Sequence, residues 1–439
     1  MSSGVGLLGH ASLGDSERVI LRLQGKNSVG EEKDVGFAQA TGNGMDVELK
    51  EAIPLTGRDQ ELSILMKRAN SLRTDMYVGS VLIEGDAGFG KSALLRTFLK
   101  DTASAFNSFA TALYGNAFEL EQEVPYHGWA GILCSYFDIK ANDAVIFSKQ
   151  KIITQLSDTP NRDLYPLLNP FFPFNFDETD STKNMEPSSR NTKTTDLVIS
   201  LFSQGMPSYN NCKLVLVIDD AQWCDSPSWN LIAQVAQRAQ NVLLVVALRM
   251  LENEANINSY ETLKTLRGTE RMVLSTLPSS AFEEYLCALL RVRGISDDLL
   301  SFVEKKSCGN FLYVQEAVMS MVEDGVLVQN GGICAVRPGT ELEDIDMPNS
   351  VGAVIGSRIE RLSAPQQQLL CCAAVIGNEF YLDTLLQVHP APDLLSTVDN
   401  DLKVLLQRNL IEMLGGKSRR DLGNLASGGR EFAEDFTFD

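Results

Sequence analysis

An α/β fold built on a largely parallel sheet, followed by a helical C-terminal part, is predicted by three observations. Ser80-Val-Leu-Ile-Glu84, Lys213-Leu-Val-Leu-Val-Ile218 and Asn241-Val-Leu-Leu-Val-Val-Ala-Leu248 are nearly unbroken apolar runs, the composition of strands covered on both faces. The stretches between them carry helical spacing, so strand and helix alternate. Beyond residue 279 the strand-like runs give way to helical patterns.

Taken in order, residues 1–52 are rich in Gly, Ser and charge without sustained periodicity, which predicts a flexible leader holding one short strand over Val19–Gln24. A core domain follows over 53–276. Its opening segment, Leu55-Thr-Gly-Arg-Asp-Gln-Glu-Leu62, introduces a helix before the strand Ser80–Glu84. Leu94, Leu95 and Phe98 then mark a helix over Ser92–Ala103. Residues 159–192 hold Pro160, Pro166, Pro170, Pro173 and Pro187 amid Asp, Ser, Thr and Asn, and read as a long surface loop or insertion. Ser226–Arg238 is predicted as a helix capped by Ser226, with Pro227 in its first turn. Arg271-Met-Val-Leu274 closes the sheet as an edge or final strand.

Residues 277–331 read as a helical lid, with a helix starting at Ser279 and Ser280 and an apolar one over Phe311–Val322. Residues 347–415 give four short helical patterns, the last running into Leu410-Ile-Glu-Met-Leu414 as the strand of a winged-helix-like domain. Residues 416–439 form a polar tail that ends at Phe436-Thr-Phe-Asp439 with no closing element, as expected of a piece of a longer chain.

The 439 residues suggest two to four domains at roughly 100–200 residues each. The formal net charge of −19 repels a phosphate backbone unless a basic stripe overrides it. Lys417-Ser-Arg-Arg420 is too short for that, and residues 381–400 contain neither Lys nor Arg where a winged helix would need them. No nucleic-acid partner is therefore expected; a protein partner, or further domains of a longer chain, is. The eight cysteines have no Cys-x-x-Cys spacing, and Cys371 and Cys372 fall in an apolar helical stretch, as reduced core residues would. His10, His127 and His389 lie too far apart in sequence to suggest zinc. No apolar run approaches the roughly 20 residues of a membrane span, so a cytoplasmic location is expected.

The chemistry is carried by Gly85-Asp86-Ala87-Gly88-Phe89-Gly90-Lys91-Ser92, followed by Ala93, between a predicted strand and a predicted helix. Glycines let such a loop wrap a polyphosphate with its backbone N–H groups pointing inward, and the helix N-terminus adds its positive end. Lys91 is expected on the β and γ phosphates and the Ser92 hydroxyl on Mg²⁺. An apolar strand ending in Asp219-Asp220 supplies what this loop lacks: Asp219 to anchor the metal, Asp220 to orient the attacking water. Many hydrolytic relatives carry Glu at the position of Asp220, whose shorter side chain predicts weak turnover. Arg249, at the end of the next strand, is the candidate γ-phosphate sensor. Leu55, Gly57 and Arg58 are expected near the base and phosphates, with Arg58 either bonding phosphate or pairing with Glu61. These features predict a P-loop NTPase that binds ATP or ADP with Mg²⁺.

Leu55–Leu62, the phosphate loop, Val217-Ile-Asp-Asp-Ala-Gln-Trp-Cys-Asp-Ser226 and Ala247-Leu-Arg249 resemble the STAND branch of AAA-like ATPases, in which nucleotide exchange acts as a switch. Ser307-Cys-Gly-Asn-Phe-Leu-Tyr-Val-Gln-Glu316 and Cys372-Ala-Ala-Val-Ile-Gly377 are similar to the ATPase region that follows the paired cyclase domains in the soluble adenylyl cyclase (adenylate cyclase type 10) family. Gly309-Asn310-Phe311 departs from the Gly-x-Pro usual in the helical lid. Residues 1–52 are too few for a cyclase domain, so the resemblance implies a regulatory ATPase module that makes no cyclic AMP. Two other functions fit the same residues: a DNA-associated ATPase of the origin-recognition kind, and a nucleotide-binding domain without turnover.

Overall fold

The computed structural model describes residues 20–23, 55–340 and 351–414, apart from interruptions at 107–108, 141–142, 158, 207–211, 252–253, 277, 331, 378, 391–397 and 409. The chain divides into two compact units, Ala52–Val354 and a second made of Met1–Glu51 with Ile355–Asp439. The first described segment, Ile20–Leu23 (β1), belongs to the second unit.

In the larger unit, Asp59–Ser71 (α1) leads to Gly79–Glu84 (β2), Lys91–Phe106 (α2) and Ala110–Asn116 (β3). His127–Tyr136 (α3), Val145–Ser157 (α4) and Pro187–Gln204 (α5) precede Lys213–Asp219 (β4). Ser226–Arg238 (α6), Val242–Leu248 (β5), Glu254–Thr265 (α7) and Thr269–Val273 (β6) complete the core. The five strands run parallel in the order β3-β4-β5-β2-β6.

The sheet is buried on both faces, which is why its central strands carry unbroken apolar runs. Leu214, Leu216 and Ile218 of β4 join Trp129, Phe202 and Trp229 in one cluster, while Val215 and Val217 join Leu65, Leu94 and Phe98 in another. β5 divides likewise, Leu244 and Val246 to the first face and Val245 and Ala247 to the second. Sequence reasoning missed β3: it is an edge strand, and Ala-Thr-Ala-Leu-Tyr-Gly-Asn has no apolar run to betray it.

Two local expectations are corrected. Residues 159–192 are not a surface loop: Phe171, Phe172, Phe174 and Phe176 are buried in the first cluster, and both amide atoms of Asn169 bond the Phe176 backbone, at 2.7 and 3.1 Å. The prolines break regular structure, but the aromatic rings still carry enough apolar area to drive the segment inward. The cap of α6 is Asp225, whose Oδ2 accepts the Ser228 N–H at 3.1 Å while Oδ1 accepts the Tyr126 N–H at 3.0 Å.

Ser279–Leu290 (α8), Gly294–Ile295 (β7), Asp297–Ser307 (α9) and Phe311–Glu323 (α10) form the helical part of this unit. The hairpin Leu327–Asn330 (β8) and Ile333–Val336 (β9) pairs with β7 to make a small sheet that sequence reasoning missed. Phe282, Leu286, Val303, Val314 and Val318 are its core. Val351–Glu360 (α11) runs across the boundary between the units.

The second unit holds Ala364–Ile376 (α12), Glu379–Tyr381 (β10), Leu382–Val388 (α13), Val398–Gln407 (α14) and Ile411–Leu414 (β11). A capping box of Ser363 and Gln366 starts α12. Leu369, Leu385, Leu402 and Leu405 form the core. β1 is the middle strand of an antiparallel sheet, Ile20 opposite both Tyr381 and Leu414. Part of the segment set apart as a leader is therefore built into this unit. The rest of residues 1–52 below Leu55, Lys417–Arg420 and the polar tail lie outside the described residues.

All eight cysteines are free; Cys212, Cys224 and Cys334 are buried, whereas Cys371 is exposed on α12 and is not the core residue expected of it. Among the described residues no helix is long and apolar enough to cross a membrane.

Candidate functional site

The carboxyl ends of β2, β4 and β5 gather the residues singled out by sequence, at the edge where open parallel sheets take their ligands. Gly85 N–H still donates to the Leu248 carbonyl at 3.3 Å, so the loop leaves β2 in register with β5. Glu84, just before it, accepts Arg271 Nε and Nη2 at 2.8 and 2.6 Å and the Tyr260 hydroxyl at 2.6 Å. Gly88 and Gly90 have φ of +80 and +84°, a region in which other residues are strained. Lys91, Ser92 and Ala93 open α2.

Lys91 is buried, and its Nζ donates to the carbonyls of Gly85 and Asp86 at 2.7 and 3.0 Å. Burial pulls its pKa down, and the Asp220 and Asp219 carboxylates oppose that. Asp219 is fully buried. Its Oδ1 accepts the Asp220 N–H at 2.9 Å, and its Oδ2 is buried without a hydrogen-bond partner. Burial, with the Asp220 charge adding to it, pushes the Asp219 pKa up to about 7, while the neighbouring Ser92 side chain, the Asp220 amide and Lys91 pull the other way.

Asp220 has a left-handed backbone, φ +50°, and is buried, which raises its pKa; Gln222, Arg249 and Lys91 oppose the rise. Gln222 was not foreseen. Its Nε2 donates to Asp220 Oδ1 at 2.8 Å and its Oε1 accepts the Arg249 N–H at 2.9 Å, so one side chain ties the two strand ends together. The signals for it in the sequence are its place two residues after the paired aspartates and its presence in the Val217–Ser226 motif. Asn116, opposite Asp219 in register, also presents a buried, unpartnered amide oxygen to this edge.

Gly57 has φ +65° and Leu55 packs against the cluster beneath α2. Of the two expectations for Arg58, the pairing is present: Nη1 bonds Glu61 at 2.9 Å, and Nη2 bonds the carbonyls of Phe89, at 3.1 Å, and Ser275. It clamps the outside of the loop. Asn310 and Phe311, where the resemblance leads one to expect a Gly-x-Pro, also reach the loop: Asn310 Nδ2 donates to the Ala87 carbonyl at 3.0 Å and the Phe311 N–H to the Gly88 carbonyl at 3.1 Å.

These residues fit a nucleotide with Mg²⁺. A buried carboxylate oxygen without a partner, a hydroxyl beside it and a lysine at the mouth of a positive-φ glycine loop are the donor set a metal-bound polyphosphate requires. The sheet order, the phosphate loop and the helices define the P-loop fold of an AAA-type ATPase.

Comparison with known proteins agrees at that level. Residues 54–246 match the AAA ATPase domain family. Adenylate cyclase type 10 of Homo sapiens is 21% identical over 384 residues, covering 78% of this chain and 23% of that protein. The Mus musculus protein of the same name is 20% identical over 414 residues, covering 85% and 25%. The chain thus spans about a quarter of the length of these relatives. Among solved structures, the Aeropyrum pernix ORC1 protein in complex with DNA aligns at 12% identity and a TM-score of 0.39, covering 88% of this chain and 96% of that one. Drosophila ORC bound to DNA aligns at 14% and 0.35, covering 80% and 86%.

The expectation that nucleic acid is excluded as a partner is withdrawn, because solved structures similar to this chain are complexes with DNA. Net charge sums over the whole surface, and binding depends on the local field at one face.

Proposed function

We propose that this chain is a regulatory ATPase module in which ATP or ADP, held with Mg²⁺, sets the state of the helical part and so the exposure of a surface for a protein partner or for further domains of a longer chain. The observation that carries the reading is the buried, unpartnered Oδ2 of Asp219 beside Ser92 and Lys91. The backbone of residues 85–92 cradles the phosphates, Lys91 neutralises the β and γ groups, and Ser92 and Asp219 hold the metal. Asp220 orients water and Arg249 senses the γ phosphate; turnover is slow and resets the switch. Leu55 and Gly57 lie beside the base, and Arg58 supports the loop from behind. The setting is a cytoplasmic, adenylyl-cyclase-type signalling protein, in which this module regulates and does not cyclise.

The test is to purify the chain, denature it, identify any released nucleotide by chromatography, and assay ATP turnover beside Lys91→Ala, with and without duplex DNA. Bound ADP or ATP that the variant loses, with slow Lys91-dependent turnover, supports the switch. A chain that neither binds nor hydrolyses ATP with magnesium sinks it, binding without turnover leaves a structural nucleotide, and turnover raised by DNA moves the reading to a DNA-associated ATPase.

A further inference from the structure

The contact between α10 and the phosphate loop has a defined polarity: the helical part supplies the donors and the loop supplies carbonyls. Asn310 Nδ2 takes the Ala87 carbonyl and the Phe311 N–H takes the Gly88 carbonyl. A trans peptide sets its C=O and N–H on opposite sides. The Ala87 carbonyl shares its peptide with the Gly88 N–H, and the Gly88 carbonyl with the Phe89 N–H. Holding both carbonyls toward α10 therefore turns the two N–H groups the other way, which is the arrangement of successive amides that makes an anion-binding hollow. Among the described residues the Phe89 N–H meets the Asp86 carbonyl alone, at a long 3.4 Å.

The donors are themselves fixed. Asn310 Oδ1 caps α10 by accepting the Tyr313 N–H at 3.0 Å, and the Phe311 ring packs on Tyr285 and Phe282 at centroid distances of 4.6 and 5.7 Å. The fit leaves no slack, since a Cβ on Gly88 would lie 2.0 Å from Asn310 Oδ1.

We infer that the Asn310 amide and the Phe311 N–H form a latch that orients the Gly88 and Phe89 amides toward a nucleoside polyphosphate, making Asn310 and Phe311 positioning residues for it. The inference rests on the nucleotide reading above and adds how the helical part acts on the loop: seated, it keeps the hollow formed, and withdrawn, it frees the two peptides to rotate.

Three full-length variants isolate the donors. Asn310→Ser keeps a capping oxygen and removes the amide donor. Phe311→Pro deletes the N–H at the first position of a helix, where proline is tolerated, and Phe311→Ala removes the ring but keeps the N–H. Mg-ADP affinity is measured by calorimetry, and hydrogen exchange of the 85–92 amides is followed without nucleotide. Asn310→Ser should weaken ADP about fivefold, the share of one net hydrogen bond, and speed exchange in the loop; Phe311→Pro should weaken ADP more than Phe311→Ala. Unchanged affinity and exchange in Asn310→Ser, or equal effects of the two Phe311 variants, would overturn the latch. If the wild-type chain binds no ADP, the nucleotide reading fails, while the exchange comparison still decides the contact: faster exchange upholds it and unchanged exchange overturns it.

Discussion

Asp219 accepts the backbone N–H of Asp220 on one carboxylate oxygen, at 2.9 Å, and keeps the other buried with no partner. A carboxyl so placed resists ionisation, and Asp219 holds its proton up to about pH 7, against about 3.9 in an unfolded chain. Between those values the folded, nucleotide-free chain binds a proton that the unfolded chain has released, so its stability falls as pH rises through that window and levels off above it. Urea midpoints of the wild type should decline from pH 5 to 8 relative to Asp219→Asn. Magnesium needs the ionised form, so Mg-ADP affinity should rise about tenfold between pH 6 and 8. Parallel curves for both proteins would show that Asp219 does not titrate there.

Lys91→Ala should weaken Mg-ADP by roughly 10- to 100-fold, the worth of a charge-assisted contact to phosphate. The amine bonds the Gly85 and Asp86 carbonyls of its own loop and faces the Asp219 and Asp220 carboxylates, so the melting temperature of the empty chain should fall as well. Equal ADP affinity by calorimetry would remove Lys91 from the site.

Gln222 is the cross-tie between the paired aspartates and Arg249. Gln222→Ala should lower ATP turnover by roughly ten- to a hundredfold through misplacement of Asp220, while ADP affinity holds. If affinity falls as much as turnover, Gln222 supports the loop instead and does not align the strand ends.

Arg58 is 4% exposed and joins Glu61 to the carbonyls of Phe89 and Ser275. Arg58→Ala should cost about 3 kcal/mol in urea unfolding, as breaking a buried charged network does. A loss under about 1 kcal/mol is what an exposed pair would give, and would mean that solvent already satisfies these groups.

How much of this was legible in the sequence depended on whether the cause was local. β4 and β5 were plain because burial on both faces leaves no polar position in the run, and the phosphate loop was plain because its glycines and Lys91 fall within one short stretch, Gly85–Lys91. β3 was not, since an edge strand ending in Gly115-Asn116 has no such run. Phe171–Phe176 were read through their prolines, a statement about hydrogen bonding that says nothing of where aromatic rings go. Gln222 and Asn310 act on partners that only the folded chain brings near, from another strand end or from residue 87. No spacing rule encodes such pairs.

The sheet that seats β1 between β10 and β11 orders events during synthesis. Ile20 is made before the larger unit, and its partners Tyr381 and Leu414 only after it. The larger unit can close its own core while the early strand waits, and the second unit must then gather two distant stretches across a long chain closure. Its sheet closes by docking an early-made strand onto two later ones, slow by topology. Until it occurs, β10 and β11 each present an unpaired edge to any strand that reaches them first.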